Sequence, residues 1–178
     1  MNCGKGWVVS IEQTIVIKDA CILIDLVDLD LLEAFYQLDV RAVTTGFVVA
    51  EILDEEQVVA VKKVVDDGRL TVYDDGDLAE INALTNQHPG LSFADCSVLE
   101  LAFRVPGIIL SADGSLRNEA KRRQLTVKGS LWVLNQLVEQ GFMTKEVCLA
   151  KLDLYPRVNS RAPKRDIQLL ISKLNAGL

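Results

Sequence analysis

A three-layer α/β/α sandwich around a central, mainly parallel sheet of four or five short strands is the fold predicted for this 178-residue chain. Three observations predict it. Short β-branched runs alternate with helical patterns, as successive βαβ units do. The runs are brief and almost wholly apolar, as strands covered on both faces must be. The composition, 49% apolar and 25% charged, supports a packed core and excludes a disordered chain.

The elements follow in order. Residues 1–13 read as an N-terminal lead-in, and an α/β domain spans 14–141. Strands are expected at Thr14–Lys18, Val40–Val43, Leu70–Tyr73, Ile108–Ser111 and Leu125–Val127. Helical patterns cover Ile22–Gln37, Gly46–Gln57, Val58–Asp66, Leu78–Thr85, Ser92–Arg104, Ser115–Gln124 and Leu131–Gln140. Residues 142–178 form a C-terminal helical extension. In it, Lys145–Leu154 reads as a short helix, and Pro156 and Pro163 bracket a basic loop, Arg157–Arg161. The last helix carries Ile167, Leu170, Ile171 and Leu174 at i, i+3, i+4, i+7, a stripe that packs back on the domain or docks another chain.

Chemistry is suggested by four acids set in or beside apolar runs: Asp19, Glu51, Asp95 and Asp113. Buried carboxylates need hydrogen bonds, a cation or a proton. Asp19 and Asp113 follow predicted strands, and functional groups belong at the carboxyl ends of a parallel sheet. Four carboxylates gathered there would repel unless a divalent metal lay between them. Each also has an ordinary reading. Ser92-x-x-Asp95 is a capping box, Asp113 before Gly114 is a turn residue or N-cap, and Glu51 is an exposed helix position.

Other metal and redox chemistries find little support. The cysteines, Cys3, Cys21, Cys96 and Cys148, form no C-x-x-C pair, and the lone histidine, His88, reads as a surface turn residue. Cys21 and Cys96 read as small core residues of a reducing compartment, so a cytoplasmic location is expected. No apolar stretch approaches the roughly 18 residues of a membrane span. Asp28-x-Asp30 reads as a solvated helix face, and Asp74-Asp75-Gly76-Asp77 as a turn and helix start.

The motifs, in order, are Asp19-Ala20-Cys21-Ile22-Leu23-Ile24, Thr44-Thr45-Gly46-Phe47-Val48-Val49-Ala50-Glu51-Ile52, Leu91-Ser92-Phe93-Ala94-Asp95-Cys96 and Leu110-Ser111-Ala112-Asp113. Together they resemble the PIN domain family, over about residues 14–140. That family includes the ribonuclease toxins of bacterial toxin–antitoxin pairs. The helical tail resembles the branch with an extra C-terminal region. The resemblance implies that Asp19, Glu51, Asp95 and Asp113 are catalytic residues binding Mg²⁺ or Mn²⁺, and that the substrate is single-stranded RNA. It also implies a homodimer, with an antitoxin protein as an expected partner. One position pair departs from the pattern. The family often has Thr or Ser, then Asn or Ser, after the first Asp, where this chain has Ala20 and Cys21. Ser111 is placed to supply a hydroxyl to the site.

The charge is polarised. Residues 1–100 carry 6 Lys/Arg against 19 Asp/Glu, or −13, and residues 101–178 carry 13 against 6, or +7. The basic cluster is Arg117, Lys121, Arg122, Arg123 and Lys128. Arg117 and Lys121 share a helix face just beyond Asp113 and are candidates for holding an RNA backbone, unless that face is simply solvated. Trp132 reads as core more readily than as a stacking platform. Two functional classes therefore stand: a metal-dependent endoribonuclease, and a catalytically weak or inactive module of the same fold that binds RNA or a partner protein.

Overall fold

The computed structural model describes residues 13–17 and 19–176. The lead-in at 1–12 and Lys18 fall outside them. Five short strands form one sheet: β1 (Gln13–Ile17), β2 (Val40–Thr45), β3 (Leu70–Tyr73), β4 (Ile108–Leu110) and β5 (Thr126–Lys128). All are parallel, in the order β3-β2-β1-β4-β5. In the central pair, Ile15 lies opposite Ile108 and Ile17 opposite Leu110.

This order fixes the layers. The chain steps from β1 to β2 to β3 in one direction, then crosses back to β4 and β5. Right-handed crossovers must therefore place the two sets of helices on opposite faces. One layer holds α1 (Asp19–Asp28), α2 (Leu32–Phe35), α4 (Glu55–Asp66) and α8 (Ser130–Glu139), with α1 touching α2, α4 and α8. The other holds α5 (Leu78–Gln87), α6 (Phe93–Arg104) and α7 (Gly114–Arg122), with α6 against β1 and β2. A short α3 (Gly46–Ala50) continues from β2 and meets α6.

Two expected helices are broken, for local reasons. The pattern over 22–37 ends at Asp28 because Asp30 takes a left-handed conformation, φ 51°. The Asp30 N–H donates to the Val27 carbonyl and the Leu31 N–H to the Leu26 carbonyl, a Schellman closure with both leucines fully buried. Asp replaces the usual glycine there, so the stop carries no glycine signal. The pattern over 46–57 breaks because Asp54 caps a new helix, accepting from the Glu56 and Gln57 amides at 3.0 and 3.1 Å.

The extension consists of α9 (Lys145–Val158) and α10 (Lys164–Ala176), which pack on α8 and on each other. Helix α9 runs four residues beyond the expected end at Leu154 and through Pro156. Proline removes one amide donor, but the side chains of Tyr155 and Asn159 are fixed by the core, as described below. Ile167 and Leu174 of the α10 stripe are buried, and Leu170 and Ile171 are half-buried, so the stripe packs back on the domain. Among the described residues no helix is long and apolar enough to cross a membrane.

His88 corrects its surface reading. It is half-buried, with Nε2 3.3 Å from Glu119 Oε1. Buried Glu119 also receives Arg122 (2.6 Å) and Arg123 (2.5 Å), and Arg123 lies over the Phe103 ring of α6. Helix α7 is thereby tied to α5 and α6. The Arg122 hydrogen bond, then that of Arg123, holds the Glu119 carboxyl at about 2 against an ordinary 4.5. Its stabilisation is complete above pH 4.5 and is lost as pH falls through about 2. Glu119→Gln should lower stability at pH 7 by about 1–2 kcal/mol. It should also flatten the stability curve between pH 4.5 and 2, readable by urea denaturation across that range. An unchanged curve would show that the acid sensitivity arises elsewhere.

Candidate functional site

Between β1 and β4 the sheet changes direction of growth. Such a switch point opens a crevice at the carboxyl ends of the strands, where α/β sheets place their ligands. Asp19 follows β1 and Asp113 follows β4, so the two flank the switch point. Asp19 is buried, at 2% exposure. Its backbone is left-handed, φ 42°, a conformation Asp tolerates better than most residues. Asp19 Oδ1 accepts the Ile22 amide at 3.1 Å, closing the start of α1. Oδ2 accepts the hydroxyl of fully buried Ser111 at 3.3 Å. The same hydroxyl accepts the Asp113 amide at 3.0 Å. Ser111 therefore links the two aspartates across the switch point. Asp113 is also the N-cap of α7, accepting the Leu116 amide at 2.9 Å.

The other two acids form a second pair. Ser92 and Asp95 make a reciprocal capping box at the start of α6. Asp95 Oδ2 accepts the Ser92 amide at 2.8 Å, and Ser92 Oγ accepts the Asp95 amide at 3.0 Å. The Ser92 hydroxyl donates to Glu51 Oε1 at 3.4 Å. Glu51 is exposed at the C-cap of α3, and so matches its ordinary reading. A buried hydroxyl contact fixes its position: Thr45 Oγ1 lies 2.7 Å from Ser97 Oγ, holding the start of α3 beside α6.

The expected gathering of four carboxylates is thus sorted into two serine-bridged pairs, Asp19–Ser111–Asp113 and Glu51–Ser92–Asp95. Among the described residues no group of three or more His, Cys, Asp or Glu is close enough to hold a metal ion. The physical reason is that three of the four acids satisfy backbone amides at helix starts, where the helix dipole favours a carboxylate. The donor chemistry nevertheless suits a hard cation such as Mg²⁺, since all four offer oxygen. A capping carboxylate also retains free lone pairs.

Sequence reasoning missed Asp25. It lies on the buried stripe Ile22, Asp25, Leu26, Leu29, where an acid at i+3 in an apolar face was the available signal. At 2% exposure it receives three donors. Oδ2 accepts the Ser130 hydroxyl at 2.7 Å and the Tyr155 hydroxyl, and Oδ1 accepts Asn159 Nδ2 at 2.9 Å. Burial, then the bond to Asp25, pushes the Tyr155 phenol above its ordinary value, so it stays a donor. This cluster ties α1, α8, α9 and the loop after α9 together.

That loop walls two neighbouring cavities, of about 360 and 350 Å³, which share Ala112 and Arg161. The second is lined by Asp113, Asp25, Asp28 and Cys21. Cys21 is therefore exposed in a cleft and is not the core residue expected; Cys96 is buried. The first is lined by Arg117, Lys128, Arg161 and half-buried Trp132. Arg117 is steadied by donating to the Ser111 carbonyl at 2.8 Å. Lys121 is exposed, whereas Arg122 and Arg123 are taken up by Glu119. The basic cluster of the sequence is thus split between a structural tie and a cavity wall.

A parallel sheet with acids at its switch point is an α/β architecture that hosts several chemistries, so the class is set by the family match. The chain belongs to the PIN domain family: the family model described as DUF3368, PIN domain, matches residues 15–175, running through α9 and nearly all of α10. Members of this family generally use divalent metals. No curated protein matches the chain.

Tyr155→Phe removes one of the three donors to buried Asp25. A hydrogen bond to a charged group is worth about 1.5–3 kcal/mol, so the unfolding free energy should fall by that amount and the urea midpoint by that amount divided by an unchanged m. An unchanged midpoint would show that Ser130 and Asn159 satisfy the carboxylate alone.

Proposed function

We propose that the chain is a metal-dependent endoribonuclease acting on single-stranded RNA. The observation that carries this reading is the Asp19–Ser111–Asp113 link at the switch point. It sets two carboxylates at the carboxyl ends of β1 and β4, beside a basic cavity. The residues that would hold a Mg²⁺ or Mn²⁺ ion are Asp19, Asp113, Asp95 and Glu51. A bound cation would supply an acidified water and neutralise charge on the scissile phosphate. The chain's own residues do the rest. Ser111 orients Asp19 and the Asp113 backbone, the Asp95 capping box and Ser92 steady Glu51, and Arg117 and Lys121 hold the RNA backbone.

A second reading has a specific observation behind it. The four acids stand as two pairs, and Ala20 and Cys21 replace the polar residues usual after the first aspartate. A module that binds RNA or a partner protein without cleaving would keep this arrangement. Calorimetry with Mn²⁺, and cleavage of a single-stranded RNA with and without EDTA, separate the two. The nuclease reading expects Mn²⁺ binding, EDTA-sensitive cleavage, and loss of at least about 100-fold in rate for Asp19→Asn and Asp113→Asn. Asn is the right replacement at Asp19, because it tolerates a left-handed backbone and alanine does not. Folded parent protein that binds no Mn²⁺ would sink the nuclease reading and leave the binding module.

With this reading we propose a cytoplasmic location, an antitoxin protein as a candidate partner, and a homodimer. The buried α10 stripe is not available for pairing. The exposed apolar residues Leu53 and Val59, 87% and 68% exposed beside the start of α4 and within it, are the surface proposed instead. Leu53→Asp with Val59→Asp should convert a dimer to a monomer in sedimentation velocity. A dimer that survives the pair excludes this surface.

A further inference from the structure

The cavity walled by the extension has features beyond Arg117 that the nuclease reading does not use. Three cations line it from three separate elements: Arg117 from α7, Lys128 from the end of β5, and Arg161 from the loop after α9. Among the described residues, neither Lys128 nor Arg161 forms an ion pair. A single acid, Asp166, shares the lining, and Trp132 supplies an aromatic surface. At about 360 Å³ the cavity falls within the range of small-ligand sites. Its position is set by the core: Asn159 is held by Asp25, and Asn159 Oδ1 in turn accepts the Arg161 amide at 2.8 Å. Its floor includes Ser111, whose hydroxyl bonds Asp19.

From this arrangement we infer that the cavity binds one nucleoside monophosphate unit, its phosphate among Arg117, Lys128 and Arg161 and its base on Trp132. Guanidinium and ammonium groups lining one cavity from separate elements suit a phosphate dianion. An indole beside them suits any base, because every base has a stacking face. The inference deepens the nuclease reading and rests on it for its biological setting. Attack by water on a phosphodiester breaks the bond to the leaving 3′ oxygen and leaves a 5′-phosphate on the other fragment. The cavity adjoining Ser111 would hold that phosphorylated end.

The test is calorimetry on the full chain in EDTA, with AMP, inorganic phosphate and adenosine as separate titrants. AMP should bind, phosphate more weakly, and adenosine weakest. Arg161→Ala and Lys128→Ala alter exposed side chains and should each weaken AMP about tenfold and lower its salt dependence. Trp132→Leu should weaken AMP but leave phosphate binding unchanged. Folded parent that binds no AMP, adenosine that binds as well as AMP, or AMP affinity unchanged in the Arg161/Lys128 double variant would each overturn the inference. Because binding is read in EDTA it does not depend on the metal site, so AMP binding together with no RNA cleavage in the presence of Mn²⁺ would keep the cavity and discard the nuclease. Cleavage without AMP binding would do the reverse.

Discussion

The carboxylate of Asp25 is the constraint on which the rest of the architecture hangs. An acid buried on the inner face of α1 costs several kcal/mol unless donors meet it. The donors do not come from α1 or from the sheet. They come from Ser130 at the start of α8, Tyr155 in α9 and Asn159 just beyond it. The chain therefore satisfies an early residue only by folding its last 50 or so residues back over it. That requirement explains why α9 continues through Pro156. Breaking the helix at the proline would withdraw Asn159 from a charge already out of water. It also explains why the loop after α9 stands where it does, as a wall of the cleft.

The acids at the switch point obey the same rule with different partners. A carboxylate at a helix start finds amides that have no intrahelical acceptor. Asp19, Asp95 and Asp113 each take one or more, and buried or capping serines bridge them in pairs. Capping and metal binding compete only for lone pairs, and each carboxylate has about four. The caps therefore orient the acids without consuming them. What they do not do is draw all four together. Gathering like charges needs a counter-charge, and the contacts described for the four acids are with hydroxyls and amides.

The fold was largely legible because its signals are periodic. Apolar runs of strand length between helical patterns mark a parallel sheet, and all five strands fall within a residue or two of their expected places. The acids at strand ends were legible for the same reason, since Asp19 and Asp113 each close an apolar run. Legibility failed where a single residue acts through backbone geometry or distant partners. Asp30 ends α1 in a conformation usually signalled by glycine, and Gln124 does the same at the end of α7, φ 62°. Asp25 looked like one acid among several because its donors lie more than 100 residues away. The fate of Arg122 and Arg123 was the opposite case: their partner Glu119 stands three and four residues before them, a spacing that separates them from the cavity-lining Arg117.

Net charge then becomes a weak guide to what the surface attracts. The −6 net charge does little to repel polyanions from afar, because charges more than about 10 Å apart are largely screened. Within that distance only the local arrangement counts. The acidic first half contributes Asp25 and Asp28 to one cavity, and the basic second half contributes Lys128 and Arg161 to its neighbour. The two meet at Ala112 and Arg161, directly beyond β4. Glu119 takes up Arg122 and Arg123, and Arg117 of α7 lines the cleft. Arg117, Lys128 and Arg161 share the lining of that cavity with Asp166, and this local excess of positive charge is what makes the proposed anionic ligand compatible with an acidic protein.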